Sequence, residues 1–243
     1  MLNNPWGING RYFERVHSMD LTYEHSAVSG RFSHLFGLSL DRRNYHRSGY
    51  SDYRYRLEAD AFFSQTIWQM DPLTRVQLGM RYSSYNHSYK SGWTGNLEVF
   101  RRLAGIEGMR TFIKLCRGSS PPELSILKSD WEDILSDDYD LERMQSFELG
   151  IKHNLGLGTE WGLVYFQNRI DQLADSESTP SGLIYSTVDT DQKGFEAFYN
   201  STLTDAVRYQ FSYSYLDAKV RNSSQDGIYF GSAIGSQLIR RPM

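Results

Sequence analysis

Residues 206–220 read AVRYQFSYSYLDAKV, and apolar and polar side chains alternate along this stretch. In an extended chain, successive side chains point to opposite faces. One face of this segment then carries five apolar or aromatic residues: Val207, Tyr209, Phe211, Tyr213 and Tyr215. The other face carries polar residues: Arg208, Gln210, Ser212 and Ser214. The pattern predicts a β-strand with one aromatic face and one hydrated face, and it leaves open what medium covers the aromatic face.

The same alternation recurs along the chain, whereas helical spacing is nearly absent. It is clear in YRYRLEADAFFSQTIW (53–68), LTRVQLGMRY (73–82) and SFELGIKHN (146–154). Most of the predicted strands have about ten residues or more, whereas strands of soluble domains average about 5–6. About ten tilted residues are enough to cross a bilayer as a barrel strand. The predicted segments are 10–26, 30–41, 53–68, 73–84, 93–102, 108–117, 142–154, 159–171, 192–203 and 206–219, with an eleventh starting near 237.

The connections between these strands alternate in length. Short turns such as QMDPL, LGLGT and LTDA alternate with long segments such as DRRNYHRSGYSD and DQLADSESTPSGLIYSTVDTDQ. Outer-membrane barrels have short periplasmic turns at one end and long extracellular loops at the other. The alternation of short turns and long connections therefore favours an antiparallel up-and-down transmembrane β-barrel.

The apolar face of a membrane strand should avoid basic side chains near its centre, because a lipid-facing Lys or Arg there costs roughly 2–4 kcal/mol. On this criterion we expect the odd-numbered apolar residues of segment 53–68 to face lipid, opposite its charged residues. Segment 10–26 is less regular, because Arg15 and His17 share a face with its apolar residues. Tyr and Trp at strand ends fit interfacial aromatic girdles.

Composition excludes several classes of protein. The formal net charge of −3 lacks the basic excess of a nucleic-acid binder. Cys116 is the only cysteine, which rules out an internal disulfide and a multi-cysteine metal site. No apolar run is long enough for a transmembrane helix, and the N-terminus does not read as a signal peptide.

Several motifs, in order, resemble the C-terminal part of TonB-dependent outer-membrane receptors. They are LTRVQLGMRYSSY, CRGSSPPELSIL, DYDLERMQSFELGIKHN, LVYFQNRIDQL, KGFEAFYNSTL, FSYSYLDAKV and the terminal IRRPM. The resemblance covers about residues 73–243. It departs at Leu141, where the family usually has Pro, and at Ser119 and Ser120, which replace a Lys-Ala pair.

The resemblance implies a 22-strand barrel around a plug domain. The expected plug, signal peptide and C-terminal strands are not visible in the sequence. We therefore expect residues 1–243 to form one partial β-barrel domain of about 11 strands, an internal fragment that does not insert or transport alone.

The first two predicted long loops concentrate aromatic and histidine residues where the resemblance implies that ligand is captured. The predicted ligand-binding residues are Tyr45, His46, Tyr50, Tyr85, His87, Tyr89 and Trp93. The alternative is that these side chains belong to aromatic girdles and loop packing. No catalytic, metal or cofactor site is predicted, because the sequence lacks HExxH, a phosphate loop and a Ser-His-Asp order.

The resulting hypothesis is a non-enzymatic active-transport receptor in the Gram-negative outer membrane. Its expected ligand is a ferric siderophore, cobalamin or similar metal complex. Its expected partners are outer-membrane lipid and the TonB energy-coupling protein, reached through the missing plug, and no nucleic acid. Two alternatives remain open: a passive porin-type barrel, and a soluble β-rich carbohydrate-binding module.

Overall fold

The computed structural model describes residues 11–27, 30–48, 53–86, 91–121, 140–179, 182–204, 207–224 and 233–237. Ten β-strands account for most of these residues. The described residues include no helix long and apolar enough to cross a membrane. The strands are β1 (Arg11–Ser26), β2 (Phe32–Ser48), β3 (Tyr53–Gln69), β4 (Thr74–Tyr85), β5 (Gly92–Arg102), β6 (Met109–Ser120), β7 (Glu142–Gly156), β8 (Thr159–Thr179), β9 (Gly182–Thr204) and β10 (Val207–Ser223).

The ten strands form one antiparallel sheet in which each strand pairs with its neighbours in sequence. This up-and-down arrangement confirms the predicted all-β fold class. β1 and β10 form the two edges of the sheet. β10 pairs with β9 along one edge. Along its other edge, the described residues form a single antiparallel bridge, between Lys219 and Gln237. That bridge lies where the eleventh strand was predicted to start, and residues 238–243 lie outside the described residues.

The sheet has two chemically different faces, which β4 illustrates. Ser83 is 3% exposed, whereas Leu78 and Met80, on the opposite face, are 45% and 48% exposed. A curved sheet crowds the side chains on its concave face and spreads those on its convex face. The face of Leu78 and Met80 is therefore convex and is called the outer face below. The face of Ser83 is concave and is called the inner face.

The strands are tilted relative to the band of apolar residues on the outer face. One continuous row of paired outer-face residues crosses all ten strands. It begins at Tyr23 and Phe36, inside the apolar band, and ends at Asp191 and Lys219, which are charged. A row of paired residues therefore starts inside the apolar band and ends outside it, so the strands are tilted relative to the band. Strand tilt and stagger of this kind are what a barrel requires.

The predicted lipid face of β3 is wrong. Phe63 pairs with Arg81, and Ala61 pairs with Ser83, so the odd-numbered residues of β3 lie on the inner face. Leu57 and Ala61 are 5% and 7% exposed, as expected for that crowded face. Both faces of β3 carry apolar residues, so alternation within the strand could not decide its orientation. Pairing with β4, whose faces differ strongly, decides it.

The predicted long loops are also partly wrong, because several of them are strand. β8 continues to Thr179 and β9 begins at Gly182, so most of the expected loop 171–192 is a long hairpin. β2 likewise extends to Ser48, well into the expected loop after residue 41. In the extension of β2, Arg42, Arg43 and Asn44 make both faces polar, which hides the period-two signal although the backbone ladder continues.

Glycines of the inner face lie under phenylalanine rings of the neighbouring strand. A Cβ atom on Gly37 would lie 2.2 Å from the ring of Phe63, and one on Gly150 would lie 2.3 Å from the ring of Phe112. The pairs Gly162 with Phe198 and Gly194 with Phe166 repeat the arrangement, at 2.4 and 2.7 Å. These distances leave no room for a side chain, so each ring lies over the backbone of the adjacent strand.

Candidate ligand-facing and membrane-facing surfaces

The predicted ligand-binding residues divide between the two faces. Tyr85 pairs with Ala59 and lies on the inner face. Trp93 pairs with Tyr82 on the outer face, where it is 54% exposed and the two ring centroids are 4.9 Å apart. His46 also lies on the outer face, stacked on Phe13 at 6.3 Å. The structure therefore does not bring His46 and Trp93 together with Tyr85.

The other predicted residues cannot be placed as side chains. Tyr45 lies within β2, where only its backbone is described. Tyr50, His87 and Tyr89 lie outside the described residues. A role in ligand binding stays a prediction for all of them.

Tyr85 lines an inner-face cavity of about 220 Å³ at the end of the sheet where the long predicted loops begin. Arg81 lies 3.8 Å from Asp41 there, and its Nε donates to the hydroxyl of Ser83 at 3.1 Å. Arg43 lines the same cavity and makes no ion pair with any described residue. The cavity therefore holds one more basic side chain than acidic side chain, which favours an anionic ligand.

The hydroxyl of Ser119 adds a second polar group to this cavity. It is buried, and among the described residues it has no hydrogen-bond partner. A buried polar group without a partner is costly, and a bound ligand or water commonly satisfies such a group. Sequence reasoning noted Ser119 only as a departure from the family pattern. It missed Arg43, because that residue fell in an expected loop.

The inner wall below the cavity is polar and carries ion pairs. Lys114 lies 3.3 Å from Glu148, and Arg110 lies 3.8 Å from Glu160. Lys152 lies over the rings of Phe112 and Phe198, at 5.6 and 5.5 Å from their centroids. Such a wall suits a hydrated lumen and not the interior of a soluble β-sandwich. No group of three or more metal-ligating side chains occurs among the residues the structure describes.

The outer face carries an apolar band with aromatic rings near both ends. Leu21, Leu149 and Leu163 are 63%, 46% and 47% exposed along this band. Phe32 stacks on Trp68 at 5.6 Å near the short turns, while the Tyr82–Trp93 pair lies toward the opposite end. Exposed apolar surface between two aromatic belts is typical of a lipid-facing barrel wall.

A cluster of charged residues lies on the outer face, outside the apolar band. Arg42 lies 2.9 Å from Asp60 and 3.5 Å from Glu58, and Arg56 lies 2.5 Å from Glu58. His17, on β1, pairs with Arg42 in the register. The irregular basic residues of β1 are thus explained, because they lie at the level of this charged cluster and not within the apolar band.

The comparisons with known proteins decide the family. Residues 3–242 match the family model described as TonB dependent receptor-like, beta-barrel. The chain belongs to this family. A search of curated proteins finds no match.

Solved structures of three proteins share the fold. The siderophore receptor PirA from Pseudomonas aeruginosa is 17% identical, with a TM-score of 0.67 over 87% of this chain and 43% of that chain. The copper transporter OprC is 13% identical, with a TM-score of 0.71 over 86% and 38%. The ferric-catecholate import receptor Fiu from E. coli K12 is 14% identical, with a TM-score of 0.67 over 94% and 40%. The chain thus spans about two fifths of the length of these structures.

Proposed function

We propose that this TonB-dependent receptor barrel forms part of an outer-membrane importer for a scarce nutrient carried as an anionic metal complex. The observation that carries the proposal is the inner-face cavity with Arg43, Arg81 and Tyr85, on a barrel wall whose outer face is apolar. Guanidinium groups bind carboxylate and catecholate oxygens strongly, and a phenol ring offers both stacking and a hydrogen bond. The descriptions of PirA and Fiu as siderophore and ferric-catecholate receptors support a ferric siderophore as the ligand class.

Transport would require a plug and the TonB energy-coupling protein. The charged inner wall, with Lys114, Glu148 and Lys152, offers polar contacts of the kind a plug surface needs. Residues 1–243 would then act as one partial barrel domain within the longer receptor. The predicted residues Tyr45, Tyr50, His87 and Tyr89 are also proposed to contribute to ligand capture.

The test uses the full-length receptor encoded by the gene that contains this chain. It is expressed in a Gram-negative strain that lacks its own ferric-siderophore receptors, and uptake of iron-55 loaded onto siderophores from the source organism's spent medium is measured. We expect saturable uptake that disappears when the tonB gene is deleted. Uptake that is unaffected by the deletion would favour a passive porin. Recovery of the protein as a detergent-free soluble monomer would favour a soluble carbohydrate-binding module.

The cavity is tested separately by substitution. Arg43→Gln is expected to raise the half-saturating ligand concentration roughly ten- to a hundredfold, because a hydrogen bond to a charged group contributes about 1.5–3 kcal/mol. Arg208→Gln is the matched control, because Arg208 lies on the inner face of β10, away from this cavity, and makes no ion pair with any described residue. Equal effects of the two substitutions would refute the assignment of the cavity.

A further inference from the structure

A second cavity lies on the outer face and not on the inner wall. It is a groove of about 840 Å³ that crosses the middle strands of the sheet. Gly95 lies at its floor, where the absence of a side chain lowers the surface between neighbouring strands. Its apolar lining residues are Leu78, Met80, Trp93, Leu97, Leu115 and Phe147.

Polar residues edge this groove toward the end of the long predicted loops. Arg117, Gln145 and Arg169 are direct cross-strand partners on β6, β7 and β8, so they form one row. Adjacent strands are about 4.8 Å apart, which places the backbones of the two arginines about 10 Å from each other. The row lies immediately above the apolar residues Leu115 and Phe147.

Among the described residues, acidic side chains balance the charge of this row only in part, because Asp191 is the cross-strand partner of Arg169 and not of Arg117. Arg169 pairs with Asp171 at 3.5 Å, but Arg117 is exposed and makes no ion pair with any described residue. A smaller outer-face groove of about 400 Å³ lies between β1 and β4 and is edged by Asp60. Beside that groove, Arg42 pairs with Asp60 and Glu58, so carboxylates compensate its charge. Within the part of the chain that the structure describes, Arg117 thus offers this groove a guanidinium that no carboxylate pairs, unlike Arg42.

We propose that this groove binds the acyl chain of a membrane lipid whose phosphate headgroup is held by Arg117, with Gln145 and Arg169 beside it. An apolar trough under an exposed guanidinium matches an amphiphile with a long chain and an anionic head. The site is distinct from the inner cavity and does not depend on the transported ligand. It does rest on the proposed placement of the outer face in the membrane, and the experiments separate the two.

The first experiment measures lipid affinity by native mass spectrometry of the full-length receptor in detergent. The probes are dioleoyl phosphatidylglycerol, dioleoyl phosphatidylcholine and glycerol 3-phosphate. We expect the anionic lipid to bind in preference to the zwitterionic lipid, and glycerol 3-phosphate to bind far more weakly than either. Equal binding of the two lipids would overturn the proposal. Tight binding of glycerol 3-phosphate would also overturn it, because the site would then recognise a free phosphate.

Substitutions locate the site. Arg117→Gln is expected to weaken binding of phosphatidylglycerol about fivefold, since each basic residue near anionic headgroups contributes about 1 kcal/mol. Binding of phosphatidylcholine should weaken less, because its choline cation offsets the charge of its phosphate. Arg15→Gln is the matched control, because Arg15 is an exposed outer-face arginine on β1, remote from the groove. Equal losses in the two variants would show general surface attraction and would refute the site.

A fluorescence measurement needs no change at Arg117. Trp93 lines the groove, so its emission is isolated as the difference between the wild type and Trp93→Phe. In nanodiscs, brominated phosphatidylglycerol should quench this emission more than brominated phosphatidylcholine does. Quenching by both lipids to the same extent would refute headgroup selection but retain the membrane placement. Quenching by neither would refute the membrane placement itself.

Discussion

Replacing Gly150 by Ala tests the packing of the inner wall. The new Cβ atom would lie 2.3 Å from Cζ and 2.4 Å from Cε1 of Phe112, far inside van der Waals contact. The ring must therefore leave its position, where it is only 5% exposed. Forcing a group into a packed site costs about 1–3 kcal/mol. The ring also faces Lys114 and Lys152 at 5.4 and 5.6 Å, and losing two cation–π contacts adds about 0.5–1 kcal/mol for each.

The expected destabilisation is therefore about 2–5 kcal/mol. It is measured as the change in the free energy of unfolding of the full-length receptor in lipid vesicles, by guanidinium titration. Gly118→Ala is the matched control on β6, because its Cβ atom would meet only ordinary contacts, at 3.9 Å from Met144. In a Phe112→Ala background the cost of Gly150→Ala should nearly vanish. If the cost is unchanged in that background, the clash with the ring is not its cause and the reasoning fails.

Two further predictions concern the turn before β4 and the outer face of β7. The backbone N–H of Leu73 donates to Asp71, as does that of Thr74, and these bonds lower the pKa of Asp71 below its usual 3.8. Asp71→Ala should thus destabilise the barrel at neutral pH. The difference in unfolding free energy from the wild type should shrink as the pH falls through the lowered pKa of Asp71. Chemical unfolding at several pH values measures this difference, and a difference that does not change with pH would contradict the prediction. Leu149→Arg places a charge on the outer face and should lower the free energy of unfolding in vesicles by roughly 2–4 kcal/mol. Ser146→Arg, on the inner face, should lower it much less. Similar losses in the two variants would contradict the assignment of the faces.

The fold was predictable from the sequence where the two faces of a strand differ strongly. In β4, Leu78 and Met80 oppose Arg81, and in β10 the aromatic residues oppose Arg208, so alternation alone assigns both strands correctly. The odd face of β3 was misassigned because hydrophobicity within one strand does not identify the side that meets lipid. Only the pairing of Phe63 with Arg81 does so, and that is a relation between strands.

The candidate site was less predictable for a related reason. Trp93 was grouped with Tyr85 because both lie beside the same loop, yet their strand positions place them on opposite faces. If β4 is assumed to pair with β5, the sequence alone is enough to place Trp93 opposite Tyr82 and on the same face as that residue. Arg43 had no comparable signal, because the strand around it is polar on both faces and reads as a loop.

The rings that cover inner-face glycines also bear on the width of the lumen in the barrel proposed above. A large side chain that extends perpendicular to a sheet narrows the lumen. A ring that lies flat over a glycine of the neighbouring strand does not extend into the lumen. Phe63, Phe112, Phe166 and Phe198 therefore add apolar contact without narrowing the passage. We expect substitution of Gly37 or Gly150, where a new Cβ atom would meet only the covering ring, to raise that ring away from the wall. In the importer proposed above, we expect these two glycines to affect permeation as well as folding, although neither needs to touch a solute.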